Sequence, residues 1–276
     1  MNSALSIVKR SGVEEAFSTQ KLNLSLKRAG AKKQDRLKII EKIKAQLYPG
    51  ISTRIIYRQA FSLLKHCGHY TAANYSLKQA ILGLGPSGFY FEEYIARIFQ
   101  ILGYKTKVGV IKKGLCVKHE VDIVAEREDQ TIYAECKFHN IGHKKNDIKT
   151  ALYVQARAQD LKNNIDNHFH QYWLVSNTAF SLDAITYAKC SGLILHGLNT
   201  KEFGTLHDII IRYQLYPVTS LRKIKKQTIQ RLLENHLIMC KDLKRKKKQL
   251  RDLGFAPEEI STLISQTDIL INGTLC

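Results

Sequence analysis

Apolar positions recur along this chain in two rhythms. Between residues 19 and 82 they return every three or four positions, as in Leu22, Leu26 and Ala29, then Leu37, Ile40, Ile43, Ala45 and Leu47, then Ile56, Ala60, Leu63 and Leu64. That spacing predicts amphipathic helices over 19–29, 34–47 and 53–66, with a fourth running from Thr71 towards Leu82. The punctuation agrees: Gly30 stops the first, Pro49-Gly50 ends the second, and Ser52 or Thr53 caps the third. Ahead of them, 5–9 reads as a short strand followed by a Ser11-Gly12 turn. The stretch GLGPS at 83–87 breaks the pattern and reads as a linker. Beyond it, Phe91, Ile95, Ile98, Phe99 and Leu102 predict a helix over 89–102, closed by Gly103. The rhythm then shifts to short apolar runs at 104–110, 121–125, 131–138, 172–175 and 193–196. Helical stretches at 147–163 and 181–191 alternate with the later runs. Strand–helix–strand order with short apolar strands predicts an α/β sheet covered by helices.

Within that sheet, residues 120–138, EVDIVAEREDQTIYAECKF, read as a β-hairpin. Alternation places Thr131, Tyr133, Glu135 and Lys137 on one face and Ile132, Ala134, Cys136 and Phe138 on the other. With a loop over 127–130, counting back along both strands sets Asp122 opposite Glu135, with Cβ atoms about 5 Å apart. Like charges so placed repel. A divalent cation between them removes the penalty, and hard oxygen ligands suit Mg²⁺ or Mn²⁺. Lys137 lies on the same face, one pleat further on. Glu92 sits beside the apolar stripe of its helix, near enough to reach a neighbouring site.

Composition narrows the partner. The 276 residues, 44% hydrophobic, suffice for about two cored domains, and 43 Lys plus Arg against 24 Asp plus Glu give a net charge of +19. So large a charge of one sign favours a polyanion, with nucleic acid ahead of an acidic membrane surface. No apolar run reaches the ~18–20 residues of a membrane span, and the N-terminus lacks a signal-peptide core, so a cytoplasmic protein is expected. The six cysteines contain no CxxC pair, which supports neither a disulfide framework nor structural zinc. His139 and His143 have i, i+4 spacing but no second ligand pair, and read as solvated histidines.

Asp122 followed by Glu135-Cys136-Lys137 resembles the D…E-x-K signature of the PD-(D/E)xK nuclease superfamily. FYFEEYIARIFQILGYKT at 89–106 and SNTAFSLDAITYAKCSGLILHG at 176–197 resemble its Mrr-type restriction endonuclease branch. Val121 stands where the motif has proline. The resemblance implies a restriction-endonuclease-like mixed sheet flanked by helices over residues 86–200. It further implies Mg²⁺ held by Asp122, Glu135 and the carbonyl of Cys136, with Lys137 orienting water or neutralising charge. Glu92 would be the first-helix acid, and Gln155 a further candidate from the helix bordering the site.

Residues 1–84 resemble the ATP-cone, the nucleotide-sensing module of ribonucleotide reductases and some transcriptional repressors. IVKRSGVEEAFSTQKL at 7–22, LYPGISTRIIY at 47–57 and AANYSLKQA at 72–80 carry the likeness. It implies a mostly helical domain in which Val8, Lys9 and Arg10 line an ATP or dATP site, with Lys21 nearby. Ser11 and Tyr57 depart from the residues usual there. From 201 to 276 the chain is expected to be a helical, basic tail. SLRKIKKQTIQRLLENHLIMCKDL at 220–243 resembles a helix-hairpin-helix without its glycines, turning at Lys223-Ile224-Lys225, and 250–264 a looser second copy.

Together these readings predict a metal-dependent DNA endonuclease regulated by ATP or dATP, with a homodimer expected if both strands are cut. The rival expectations are a non-catalytic, nucleotide-responsive DNA-binding regulator and a junction-resolving nuclease of the same superfamily.

Overall fold

The computed structural model describes residues 5–9, 11–142, 144–200 and 204–272. The chain divides into two compact units, Met1–Leu77 with Ile264–Cys276, and Lys78–Leu263. In the first, β1 (Ser6–Val8) pairs antiparallel with β2 (Glu14–Ala16) and parallel with β3 (Ile51–Ser52). The helices are α1 (Thr19–Arg28), α2 (Lys33–Lys44), α3 (Thr53–Cys67) and α4 (His69–Leu82), the last crossing the division between the units. Ser18 caps α1 by accepting from the Lys21 amide at 3.2 Å, and Ser52 caps α3 from Ile55 at 3.3 Å. Leu26, Ile43, Ile51, Ala60 and Leu64 are fully buried in the core. One stripe differs from expectation: Leu37 is 53% exposed, and Ile39 joins Ile40 and Ile43 instead. Two positions along a helix turn a side chain about 200°, so Leu37 and Ile39 cannot face the same way.

The second unit is built on a five-stranded mixed sheet of order β10-β8-β6-β5-β4. Helix α5 (Phe89–Ile101) precedes β4 (Lys105–Lys113), β5 (Lys118–Arg127) and β6 (Gln130–Lys137), an antiparallel meander. After the short β7 (Lys145–Asn146) come α6 (Ile148–Asn163), β8 (Gln171–Ser176), the short β9 (Ala179–Phe180), α7 (Leu182–Ser191) and β10 (Ile194–Gly197). Strand β8 runs parallel to both β6 and β10, while β7 pairs with β9 apart from the main sheet. Tyr133, Tyr172, Leu174 and Leu195 pack against Ala151, Val154 and Ala158 of α6 and Ala184 and Ala188 of α7. Against α5, Phe138 meets Phe91 with ring centroids 5.5 Å apart, and Trp173 meets Phe99 at 5.2 Å. Both faces being covered, the central strands are apolar almost throughout.

The expected linker is packed. Asn140 Nδ2 donates to the Pro86 carbonyl at 3.1 Å, and a Cβ at Gly85 would lie 2.8 Å from the Phe138 ring, so only glycine fits.

The tail is a run of helices, short except for the last: α8 (Leu206–Tyr213), α9 (Lys226–Glu234), α10 (Cys240–Arg245), α11 (Lys247–Asp252) and α12 (Pro257–Asn272). As far as Leu263 it belongs to the same compact unit as the sheet. The Tyr94 hydroxyl donates to the Leu215 carbonyl at 2.7 Å, and Arg97 forks onto Asp242 at 3.0 and 2.6 Å. The turn expected at Lys223-Ile224-Lys225 does not join two helices. Ahead of it stands only one 3₁₀ turn, Val218–Ser220, and Lys223 itself adopts the left-handed conformation (φ 58°). Among the described residues no helix is long and apolar enough to cross a membrane.

Candidate active site

The β5–β6 hairpin has the register that the alternation predicts, tightened at its end. Pairing runs from Arg127↔Gln130 to Ile123↔Ala134, so the loop is the two residues Glu128 and Asp129 rather than four, with Glu128 left-handed (φ 46°). The ladder stops one pair short of Asp122 and Glu135. There Asp122 Oδ2 accepts the Cys136 amide at 2.7 Å, a side-chain carboxylate standing in for a strand carbonyl. From Ile132 to Lys137 β6 is held on its other edge by β8, with Glu135 opposite Leu174 and Lys137 opposite Ser176.

This geometry brings Asp122 and Glu135 together, with Lys137 beside them and Glu92 reaching in from the first turn of α5. Burial raises the Asp122 carboxyl above its ordinary range, though the Cys136 amide and the Arg157 charge draw it back. Burial first, and then the Asp122 charge, push Glu135 up to about 7. Glu92 is likewise pushed up to about 7, by burial and then by Asp122 and Glu120. Lys137 is exposed at the strand end, and its charge favours ionisation of both Asp122 and Glu135. The Cys136 thiol is buried and held well above the usual thiol range, chiefly by desolvation.

One residue that contacts this group has no counterpart in the sequence reading. Arg157 of α6 places Nη1 at 2.9 and 2.8 Å from the two oxygens of Glu135, and its Nη2 donates to the Glu120 carbonyl. The available signal was a lone arginine beside the small-residue stripe Ala151, Val154 and Ala158. Gln155, two positions earlier on α6, is turned away from this group. Its amide donates to the Ser191 carbonyl at the end of α7, at 3.4 Å.

A buried polar network supports the strand end. The Ser176 hydroxyl donates to the Lys137 carbonyl at 2.8 Å and accepts from Asn146 Nδ2 at 2.8 Å. Asn146 Oδ1 lies 2.8 Å from His139 Nε2. Asn177 brackets the His139 backbone, accepting its amide and donating to its carbonyl, both at 2.9 Å. His139 is therefore a structural member of this network, not a solvated side chain; His143 lies outside the described residues. No group of three His, Cys, Asp or Glu side chains among the described residues is gathered closely enough to hold a metal. A cation here would take two carboxylates and a backbone carbonyl.

At the nucleotide site expected in the first unit, Lys9 and Lys21 converge on Glu15, at 2.7 and 3.1 Å. The two lysines, Lys9 first, hold that carboxyl below its ordinary range. Val8 lies in β1, paired with Glu14 and Ser52. Arg10 lies outside the described residues.

Residues 85–203 match the restriction endonuclease family (Mrr type), and residues 216–271 match the AF1548-like, C-terminal family. An uncharacterized protein of Archaeoglobus fulgidus is 35% identical over 179 residues, which span 64% of this chain and 99% of that one. The crystal structure of the protein of unknown function AF1548 is similar at a TM-score of 0.57 and 33% identity, over 67% of this chain and 98% of that chain. Can2 from Sulfobacillus thermosulfidooxidans, solved in complex with cyclic tetra-adenylate, is 14% identical. Its TM-score is 0.33, over 70% of this chain and 51% of that chain.

Proposed function

Because this chain belongs to the AF1548-like family and carries a restriction-endonuclease-like domain, we propose that it is an endonuclease hydrolysing DNA phosphodiester bonds. The observation that carries this reading is the convergence of Glu92, Asp122, Glu135 and Lys137 at the end of the β5–β6 ladder. Burial holds Glu92 and Glu135 up at about 7, and the Asp122 charge raises both further, a repulsion that a bound cation would relieve. Asp122, Glu135 and the Cys136 carbonyl are hard oxygen donors of the kind that bind Mg²⁺ or Mn²⁺. When bound, such an ion polarises the scissile phosphate and acidifies an attacking water. Lys137 then neutralises charge developing on the phosphate or orients the water. Glu92 would hold the ion directly or through water, and its carboxyl is pushed up to about 7 chiefly by burial. Arg157 holds Glu135 in position and must share it with any cation.

The first unit supports a further reading, an ATP- or dATP-responsive control domain. Two lysines already gathered on one carboxylate make a place for anions, and a triphosphate would displace Glu15 from Lys9 and Lys21.

The fork of Arg157 on Glu135 favours one alternative, a non-catalytic DNA-binding regulator in which the guanidinium permanently takes the cation's place. Incubation of plasmid, linear and branched DNA with Mg²⁺ or Mn²⁺, wild type against Glu135→Ala, decides between them. Metal-dependent cutting by the wild type alone supports the nuclease. Binding with no cutting by either supports the regulator.

A further inference from the structure

The β4–β5 hairpin presents an exposed surface that neither the hydrolytic site nor the core uses. From Lys105 to Lys118 the chain contains five lysines and no acid. Lys113 and Lys118 are cross-strand partners at the end of the ladder, two like charges directly opposite each other. Such a pair is destabilising unless something anionic lies over it. Between them the tip exposes Leu115 (61%) and Val117 (57%).

This tip is fastened down. Asp160 of α6 accepts the Cys116 amide at 2.8 Å, the Val117 amide at 3.3 Å, and lies 2.7 Å from His119 Nε2. These contacts, the Cys116 amide foremost, hold the Asp160 carboxyl down at about 2. Asn164 and Asn167 each donate to the Lys113 carbonyl, at 2.9 and 2.7 Å. A Cβ on Gly114 would run into the Asp160 carboxylate, so the turn is closed as tightly as glycine allows. Exposed apolar side chains between lysines, on a turn held by six side-chain contacts, are preorganised for a ligand.

We propose that this hairpin tip docks on duplex DNA, with Lys113 and Lys118 on phosphates and Leu115 and Val117 against a groove wall. A two-stranded β-ribbon fits the major groove, and a basic tip matches the polyanion. Cys116 stands six residues from Asp122 along the same stretch, about 20 Å at ~3.3 Å per residue. That is about six base-pair steps at ~3.4 Å each, so tip and hydrolytic site can engage one duplex. The inference rests on the DNA-directed reading above.

The test is fluorescence anisotropy of a short fluorescein-labelled duplex with the full-length chain in EDTA, from about 50 to about 200 mM salt. The variants are Lys113→Ala/Lys118→Ala and Leu115→Ser/Val117→Ser. The lysine pair should weaken binding on the order of tenfold and reduce the slope of log K against log salt by about 2, one phosphate per lysine. The apolar pair should weaken binding with the slope unchanged. Both should melt as the wild type does, because the substituted side chains are exposed. Wild-type affinity and slope in both variants would overturn the docking surface while leaving the nuclease reading standing. A wild type that binds no duplex at all overturns both. Doubling of mass in sedimentation, abolished by the apolar pair while DNA affinity stays intact, would make the tip a self-association surface and likewise overturn the proposal.

Discussion

Arg157 and Glu135 form a two-oxygen contact, one guanidinium nitrogen at 2.9 and 2.8 Å from the carboxylate oxygens. It joins the helix behind the sheet to the strand that carries the nuclease motif. It also sets up a competition, since the oxygens that Arg157 uses are those a metal would use.

Arg157→Ala should therefore destabilise the metal-free protein by about 1–3 kcal/mol near pH 8, where Glu135 is left charged and unpaired. Near pH 5 the loss should shrink, because Glu135 takes up a proton. Mn²⁺ should restore the lost stability, and calorimetric titration should show tighter Mn²⁺ binding than in the wild type. Thermal melts with and without Mn²⁺ read this out; a deficit unaffected by metal would rule out the competition.

Stability and activity should respond to pH in opposite senses. Glu92 and Glu135 are raised from an ordinary 4.5 to about 7 in the folded chain. Between those values the folded state binds more protons than the unfolded one, so stability falls as pH rises. The contribution is fully present below about 4.5 and lost as pH passes 7. On the proposed nuclease reading the carboxylates act ionised, so cleavage should rise through the same range. Mg²⁺ or Mn²⁺ should move the rising limb to lower pH, and a pH–rate profile flat from 5 to 8 would count against these acids as the reactive set.

Removing Glu135 or Asp122 should lower cleavage by at least ~10²-fold with DNA binding in EDTA retained. Lys137→Ala should lower turnover with Mn²⁺ affinity nearly unchanged, since it is placed beside the ligands and not among them. Single-turnover rates together with metal titrations separate the two classes.

Asn146→Ala removes the centre of the network behind Lys137, leaving His139 and Ser176 without a shared partner. A cost of about 1–3 kcal/mol is expected. The Lys137 carbonyl loses its fixed donor support, so turnover should fall more than substrate affinity. An unchanged turnover in a less stable protein would confine the network to stability.

In the first unit, Glu15→Gln should release Lys9 and Lys21 and tighten ATP or dATP binding, measured by calorimetry. If neither nucleotide binds to wild type or variant, the control-domain reading fails. A cleavage rate that ignores bound nucleotide would leave the site but remove the regulation.

Much of this protein is legible in one dimension. Helix boundaries marked by Ser18, Ser52, Asp147 and Ser181 fall where local capping puts them, since a cap is decided by residues three apart. Strand alternation fixed which face of β6 carries Glu135 and Lys137, and the count across one tight turn set Asp122 against Glu135, because register in a hairpin is a local property. Tertiary structure decided the rest. The pairing of β6 with β8 and the packing of α6 over them join residues far apart in sequence, and that is how Arg157 reaches Glu135. The same packing sends Gln155 to Ser191, because two positions on a helix point in nearly opposite directions. Strands β2 and β3 are too short to show any period, and exist only because β1 offers them an edge. The hairpin of residues 120–138 supplied the acids by itself; what surrounds them, and what holds them, came from the fold.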